Sequence, residues 1–561
     1  MTAVPAAPAP APARTAAAGT GATAGTGTLL RFALRRDRLR LPVWIAALLL
    51  FTLATAGKLE TLYPHLADRA TIAGTMGSPA ALAMTGPRRY VEGYTAPGGS
   101  GFGAMLGHET IGFAAVLIAL MSVLTVVRHT RDEEETGRAE LLRSTVVGRH
   151  APLTAALLLA LAAVVVLGGL LALGLGCYGP TRGDWHGALL YGAVCAGVGA
   201  VFAGVAAVTV QLTEHARSAS GAALAVVGAA YVLRAAGDVG DGTLSWLSPI
   251  GWAQRSYPYV DGSWWPLLPT AAAALLTAAA GYVLSTRRDV GAGLRPPRRG
   301  RPAASRALAS PPWFALRLQR GLLAGFGCAL LLLGGMYGSL LGDVDDLLGA
   351  GATRRALDPA LAQAGGASLA ESFASIVMIV NAVVAAVCAV LAALRPRAEE
   401  SAGRAEPLLA TGLSRTRWLS GQLAVALLGS TLAMLLAGLG FGAAGAASTG
   451  DRGLLLSLPG AALAYAPGLW VTVGVAAVLY GWLPRAAPAA WLVPVYAFGV
   501  GYLGRVLRFP DWTEDLSPFG HVPQLPAQQL DLAPLAVLTA VAAALLAAGV
   551  WGFRRRDLET K

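Results

Sequence analysis

Long apolar runs alternate with short polar segments along the whole chain. Twelve runs are candidate membrane crossings: residues 41–57, 109–127, 153–176, 186–211, 219–236, 264–285, 321–341, 372–394, 421–446, 460–483, 488–504 and 533–553. A hydrocarbon core about 30 Å thick asks for about 20 consecutive apolar residues in a helix, and most of these runs meet that length. The pattern predicts an all-α integral membrane protein of about twelve transmembrane helices.

Composition agrees. Of the 561 residues, 55% are hydrophobic and 13% charged, against roughly a quarter charged in a soluble chain. The net charge of +12 does not point to nucleic acid, because the arginines gather in short loops between apolar runs. With both termini in the cytoplasm, 31 of the 43 Lys and Arg residues fall on the inner side, the bias that orients membrane helices. The reading is a multi-pass protein of the cell membrane. Residues 1–28 are rich in Ala, Pro, Thr and Gly and read as a disordered cytoplasmic tail, not a signal peptide. Cys177, Cys195, Cys328 and Cys388 have no paired spacing and the seven histidines are dispersed, so neither a metal site nor a disulfide framework is expected.

The chain repeats itself. Phe32-Ala33-Leu34-Arg35 precedes the first run and Phe314-Ala315-Leu316-Arg317 the seventh. Tyr231 and Arg234 close the fifth run, Tyr502 and Arg505 the eleventh. Leu247-Ser248-Pro249-Ile250-Gly251 then has its counterpart in Leu516-Ser517-Pro518-Phe519-Gly520, and Arg287-Arg288-Asp289 in Arg555-Arg556-Asp557. Two parallel six-helix repeats are expected, residues 29–286 and 311–561, joined by a cytoplasmic linker at 287–310. The segments before the first and seventh runs mix apolar and arginine positions at helical spacing and read as amphipathic helices lying in the interface.

The most informative repeat is the charged loop after the second and eighth runs. Residues 131–149 read RDEEETGRAELLRSTVVGR and residues 395–415 RPRAEESAGRAEPLLATGLSR. Aligned, both give EExxGRAExLxxTxxxR: Glu133, Glu134, Gly137, Arg138, Glu140, Thr145 and Arg149 against Glu399, Glu400, Gly403, Arg404, Glu406, Thr411 and Arg415. Glu134 to Arg138 and Glu400 to Arg404 are i,i+4 pairs in the favourable order, so each loop predicts a short cytoplasmic helix. A solvated connection explains the polarity but not the recurrence of one residue order at matched places.

These loops resemble the signature that follows the second span of type-2 ABC exporter permeases, a variant of RERExGTLELLLSTPVSR. The LSPxG segments resemble that family's re-entrant turn before its last span. The fused twelve-span layout looks most like actinobacterial exporters of polyketide-type antibiotics. Two departures stand out: Val146 and Gly412 occupy the place of the usual proline, and Pro407 that of a leucine. The resemblance implies a permease that exports a hydrophobic or amphipathic small molecule, with the two loops docked on two copies of a cytoplasmic ABC ATPase. ATP and Mg would bind that partner, since the chain holds only Lys58 and Lys561 and neither sits in GxxxxGK[ST]. This chain is then no enzyme and carries no cofactor.

Two other classes compete. A proton-coupled major-facilitator drug transporter also has twelve spans, but its GxLxDRxGRR-like loop is absent and no carboxylate lies deep in a run. A membrane enzyme would need an acidic catalytic pair; Asp343, Asp345 and Asp346 have no copy in the other half. Four ionisable residues read as lying at the outer ends of runs: Glu109, Arg234, Glu371 and Arg505. They suggest an extracellular gate that closes when Glu and Arg pair, with interfacial snorkelling as the plainer alternative. Asn381 falls mid-run, where helix–helix hydrogen bonding or pathway contact would suit it.

Overall fold

The computed structural model describes residues 21–97, 99–144, 147–289, 291–295, 303, 305–344, 368–500 and 512–558. It is all-α, with no strand among the described residues, and eleven of its helices are long and apolar enough to cross a membrane. The eleventh expected span, 488–504, does not start as one long helix. A 3-10 segment, Pro484–Trp491, and a seven-residue helix, Leu492–Phe498, occupy its described part, and residues 501–511, with Arg505, lie outside the described ones. Pro484, Pro488 and Pro494 each remove an amide donor there, which works against a regular α-helix.

The chain divides into two compact units, Met1–Arg299 and Gly300–Lys561, a boundary inside the linker expected at 287–310. In the first unit the spans are α2 (Arg40–Leu62), α6 (Gly99–Arg128), α9 (Ala151–Cys177), α10 (Trp185–Leu212), α11 (Ala216–Val239) and α13 (Leu267–Ser285). Short helices fill the connections: α1 (Thr26–Arg36), α3 (Leu66–Met76), α4 (Pro79–Thr85), α5 (Arg88–Glu92), α7 (Arg131–Glu135), α8 (Arg138–Arg143) and α12 (Pro249–Gln254). The expected tail lies mostly outside the described residues. Residues 21–28 are placed, and the carbonyls of Ala22 and Ala24 accept from the amides of His150 and Gly148.

In the second unit the spans are α14 (Pro311–Gly338), α15 (Leu369–Ala393), α18 (Arg415–Thr449), the pair α19 (Leu454–Ala464) and α20 (Ala466–Trp482), and α23 (Leu532–Arg555). Pro467, at the start of α20, divides α19 from α20, because a proline cannot donate to the preceding turn. The shorter helices are α16 (Arg395–Ser401), α17 (Ala405–Leu409), α21 (Leu492–Phe498) and α22 (Trp512–Asp515).

The two segments read as interfacial helices differ from the expectation of a matched pair. α1 is a separate helix, exposing Phe32 and Leu34 and burying Ala33, whereas its counterpart runs without a break into α14. Pro42 disrupts the turn ending at Arg38, and Asp37 turns inward to Arg128 and His129. The aligned positions in the second half are Ala324 and Gln319, which leave the helix continuous.

Packing depends on small residues where two backbones touch. A Cβ on Gly168 of α9 would lie 2.5 Å from the carbonyl oxygen of Gly192 on α10, and one on Gly192 would strike the Gly168 carbonyl in return. Small side chains of this kind let membrane helices approach closely. Gly192→Val should therefore separate α9 from α10 at a cost of about 1–3 kcal/mol, seen as a lower thermal midpoint of the detergent-purified chain.

Candidate functional site

Each charged loop folds as two short helices meeting at a glycine: α7 and α8 at Gly137, α16 and α17 at Gly403. Both glycines are left-handed, with φ of 73° and 71°, a conformation costing other residues about 1–2 kcal/mol. This kink replaces the expected i,i+4 pairing. Glu133, not Glu134, meets Arg138 (2.9 Å), and Glu399, not Glu400, meets Arg404 (2.6 Å). Turning the chain at the glycine brings the fifth residue to the carboxylate that an unbroken helix would offer the fourth. Pro407 sits at the third position of α17, where no amide donor is required, and α17 is one residue shorter than α8.

The second glutamate of each pair turns inward. Glu134 accepts two bonds from Arg288, Nη2 to Oε1 at 2.7 Å and Nη1 to Oε2 at 2.8 Å. Glu400 accepts the same fork from Arg556, at 2.5 and 2.8 Å. Arg288 and Arg556 stand just past the last span of their units, so each loop is clasped to the end of its own sixth segment. Forked pairs of this kind combine charge with directional geometry. The fourth segment completes the contact: Gln211 at the end of α10 accepts from Arg288 (2.5 Å), and the Tyr480 hydroxyl of α20 donates to Glu400 (2.6 Å).

A second tie runs the other way. Arg149 donates to the carbonyls of Ser285 and Thr286 at the end of α13 (3.3 and 2.7 Å), and Arg415 to the carbonyl of Arg556 (2.8 Å). Cations suit helix C-termini, where carbonyls lack amide partners. The first unit adds Arg131, which bonds Glu134, the Thr213 carbonyl and the Ala292 carbonyl, and Arg36, which pairs with Glu133. Burial first, then the charges of Arg128 and Arg138, lower the Arg36 guanidinium from its ordinary value, and it remains a cation. Glu133, Glu399 and Glu400 are buried and Glu134 half-buried, whereas Arg138, Glu140, Arg404, Glu406 and Thr411 are exposed. Thr411 bonds its own helix at the Leu408 carbonyl, and Thr145 lies outside the described residues.

One family model, described as "Multidrug efflux system permease Rv1217c, C-terminal domain", matches both residues 27–284 and residues 308–554. The chain belongs to this permease family. It is 41% identical over 534 residues to the "Multidrug efflux system permease protein Rv1217c" of Mycobacterium tuberculosis (strain ATCC 25618 / H37Rv), a match that covers 94% of each chain.

At the opposite end of the first unit, the expected pair of Glu109 with Arg234 is not formed, and Arg505, the expected partner of Glu371, lies outside the described residues. Arg234 is fully buried and bonded to Asp238 (3.5 Å), not to Glu109. Its guanidinium also reaches the carbonyls of Leu82 (3.5 Å) and Met84 (3.3 Å) and lies 4.3 Å from the Tyr231 ring centre. Tyr231 donates to Met84 (2.9 Å), Gln254 to the Thr85 carbonyl (2.5 Å), and His108 lies 3.2 Å from the Gly86 carbonyl. The C-terminal carbonyls of α4 are thus gathered by side chains of α6, α11 and α12, and this explains the buried cation.

Glu109 is not at a helix end, because α6 starts at Gly99; it is half-buried. Glu371 does lie in a first turn, where it forms a capping box with Ser368. Asn381 is fully buried, and neither amide atom has a hydrogen-bond partner among the described residues.

Sequence reasoning noted Arg288 and Arg556 as repeats without seeing their role; a cation at matched places after each sixth run was the available signal. It missed His108, Asp238 and Gln254 altogether. Glu400→Gln should remove one charge of a buried pair and lower stability by about 3 kcal/mol. Glu400→Gln with Arg556→Leu should lose less than the two single changes summed, read as a double-mutant cycle on the thermal midpoint. Arg234→Leu should free α4, giving faster proteolysis and hydrogen exchange in residues 78–92 than in the parent chain.

Proposed function

We propose that the chain is the membrane-spanning permease subunit of an ATP-driven ABC exporter, moving a hydrophobic or amphipathic drug or antibiotic out of the cell with a separate ATPase. The observation that carries this reading is the recurrence of one clasped loop in both units, each leaving an Arg and a Glu exposed where its second short helix begins. Two loops suit two copies of an ATPase, which would hold ATP and Mg. The name of the Mycobacterium tuberculosis relative, an efflux system permease, agrees with export and with a multi-component system. On this reading the clasped ends, and both termini, face the cytoplasm.

The geometry revises the division of labour among the loop residues. Glu133, Glu134, Glu399 and Glu400 hold the loop to its own bundle. Arg138, Glu140, Arg404 and Glu406 are the groups that meet the partner. A push on α8 or α17 passes through Gly137 or Gly403 to the paired glutamates, then through Arg288 or Arg556 to the last span. Through Arg149 or Arg415 it also reaches the third span. Spans tied at one end move as a body, which is how a local closure becomes a switch of the whole bundle.

Glu140→Arg combined with Glu406→Arg should abolish co-purification of the ATPase and ATP-dependent efflux while leaving the thermal midpoint within about 0.5 kcal/mol of stability. Undiminished ATPase association and efflux in that variant would refute the docking assignment. Efflux driven by a proton gradient in the absence of ATP would refute the exporter class.

A further inference from the structure

A groove of about 480 Å³ lies away from the loops, between α18 and α23 in the second unit. The two helices run antiparallel, since the start of α18 meets the end of α23 where Arg415 bonds the Arg556 carbonyl. Leu423, Leu427, Leu546 and Val550 form its apolar walls. Its polar groups all stand at the clasped end: Thr416 and Ser420 in the first turns of α18, Arg554 in the last turn of α23.

Length and polarity narrow the occupant. From Thr416 to Leu427 a helix rises about 16 Å, close to one leaflet of a hydrocarbon core about 30 Å thick. Leu428 and Leu432, beside the groove on α18, are 72% and 56% exposed, as befits a surface turned to acyl chains. A molecule filling this groove has an apolar tail one leaflet long and a polar head at the clasped end.

The charge of the head follows from its neighbours. Arg554 is exposed and belongs to no ion pair among the described residues. Arg417, in the first turn of α18, is exposed, and Arg555 lies 3.9 Å from the Trp551 ring centre at the groove mouth. The N-terminus of α18 adds the positive end of its dipole. Asp557, also exposed, is the acid nearest in sequence, so cations outnumber acids here.

We propose that this groove is a binding site for an anionic phospholipid, with one acyl chain along Leu423, Leu427, Leu546 and Val550 and the phosphate at Arg554, Ser420 and Thr416. The site is independent of the ATPase reading, since it uses none of the loop residues.

Trp551 lines the groove and serves as the probe. The full-length chain is placed in phosphatidylcholine nanodiscs and titrated with phosphatidylglycerol brominated on its acyl chains, then with brominated phosphatidylcholine. The Trp551 signal is the difference between the parent and Trp551→Phe. Phosphatidylglycerol should quench it at about fivefold lower mole fraction than phosphatidylcholine, the effect of one cation at a membrane surface. Arg554→Gln should erase that preference, and Ala424→Phe should reduce quenching by both lipids. Equal quenching by the two lipids, or an unchanged preference in Arg554→Gln, would overturn the proposal. So would displacement of the brominated lipid by a neutral hydrophobic drug with no preference for the anionic headgroup. Arg554 is exposed, so its variant carries the test even where Ala424→Phe fails to fold.

Discussion

Each unit depends on a carboxylate held against a guanidinium at one end of its bundle: Glu134 on Arg288, Glu400 on Arg556. Withdrawing both charges from water is expensive, and a buried pair is not in itself a source of stability. What the fork provides is direction. Two parallel bonds fix the orientation of the loop relative to the last span, and the fourth span holds one member of each pair in turn: Gln211 accepts from Arg288, and Tyr480 donates to Glu400. Removing either partner strips the other of its forked bond in a place shielded from water, so the loop is held in one register. The left-handed glycine beside it then sets the angle at which the second short helix leaves the bundle.

The first unit uses a different device at its other end. Arg234 is buried without a facing glutamate from α6. Its charge is met by Asp238 and by the carbonyl end of α4, and hydrogen bonds from Tyr231, Gln254 and His108 take up the neighbouring carbonyls. The connection between the first two spans is therefore anchored inside the bundle by backbone groups. Glu109 and Glu371, equivalent in the repeat, serve unlike environments. One lies along a half-buried helix face, the other caps a helix start, because α6 begins ten residues before its glutamate and α15 only two.

Much of this protein is legible along the chain, because the terms involved are local. Apolar length sets the spans, arginine density marks one class of loop, and the doubled Gly-Arg-Ala-Glu order locates the short helices. The irregular start of the 488–504 run and the separation of α1 from α2 departed from the reading by apolar length, which gave no weight to Pro484, Pro488 and Pro494 or to Pro42. The candidate site was legible in membership and not in pairing. Helical spacing offers Glu134 to Arg138, but a positive φ at Gly137 hands that arginine to Glu133.

Long-range partners had no such signal. Arg288 is 154 residues from Glu134, and Arg556 is 156 from Glu400; only the packing of second, fourth and sixth spans brings them together. The carbonyls around Arg234 belong to residues whose side chains carry no hint of the contact. Sequence alone determined the helical class, the spans outside the proline-rich stretch and the repeat, since hydrophobic length and residue order act within a segment. Tertiary structure decided which charges are buried, which remain at the surface and what each one holds, since desolvation and hydrogen-bond geometry depend on neighbours distant in the chain.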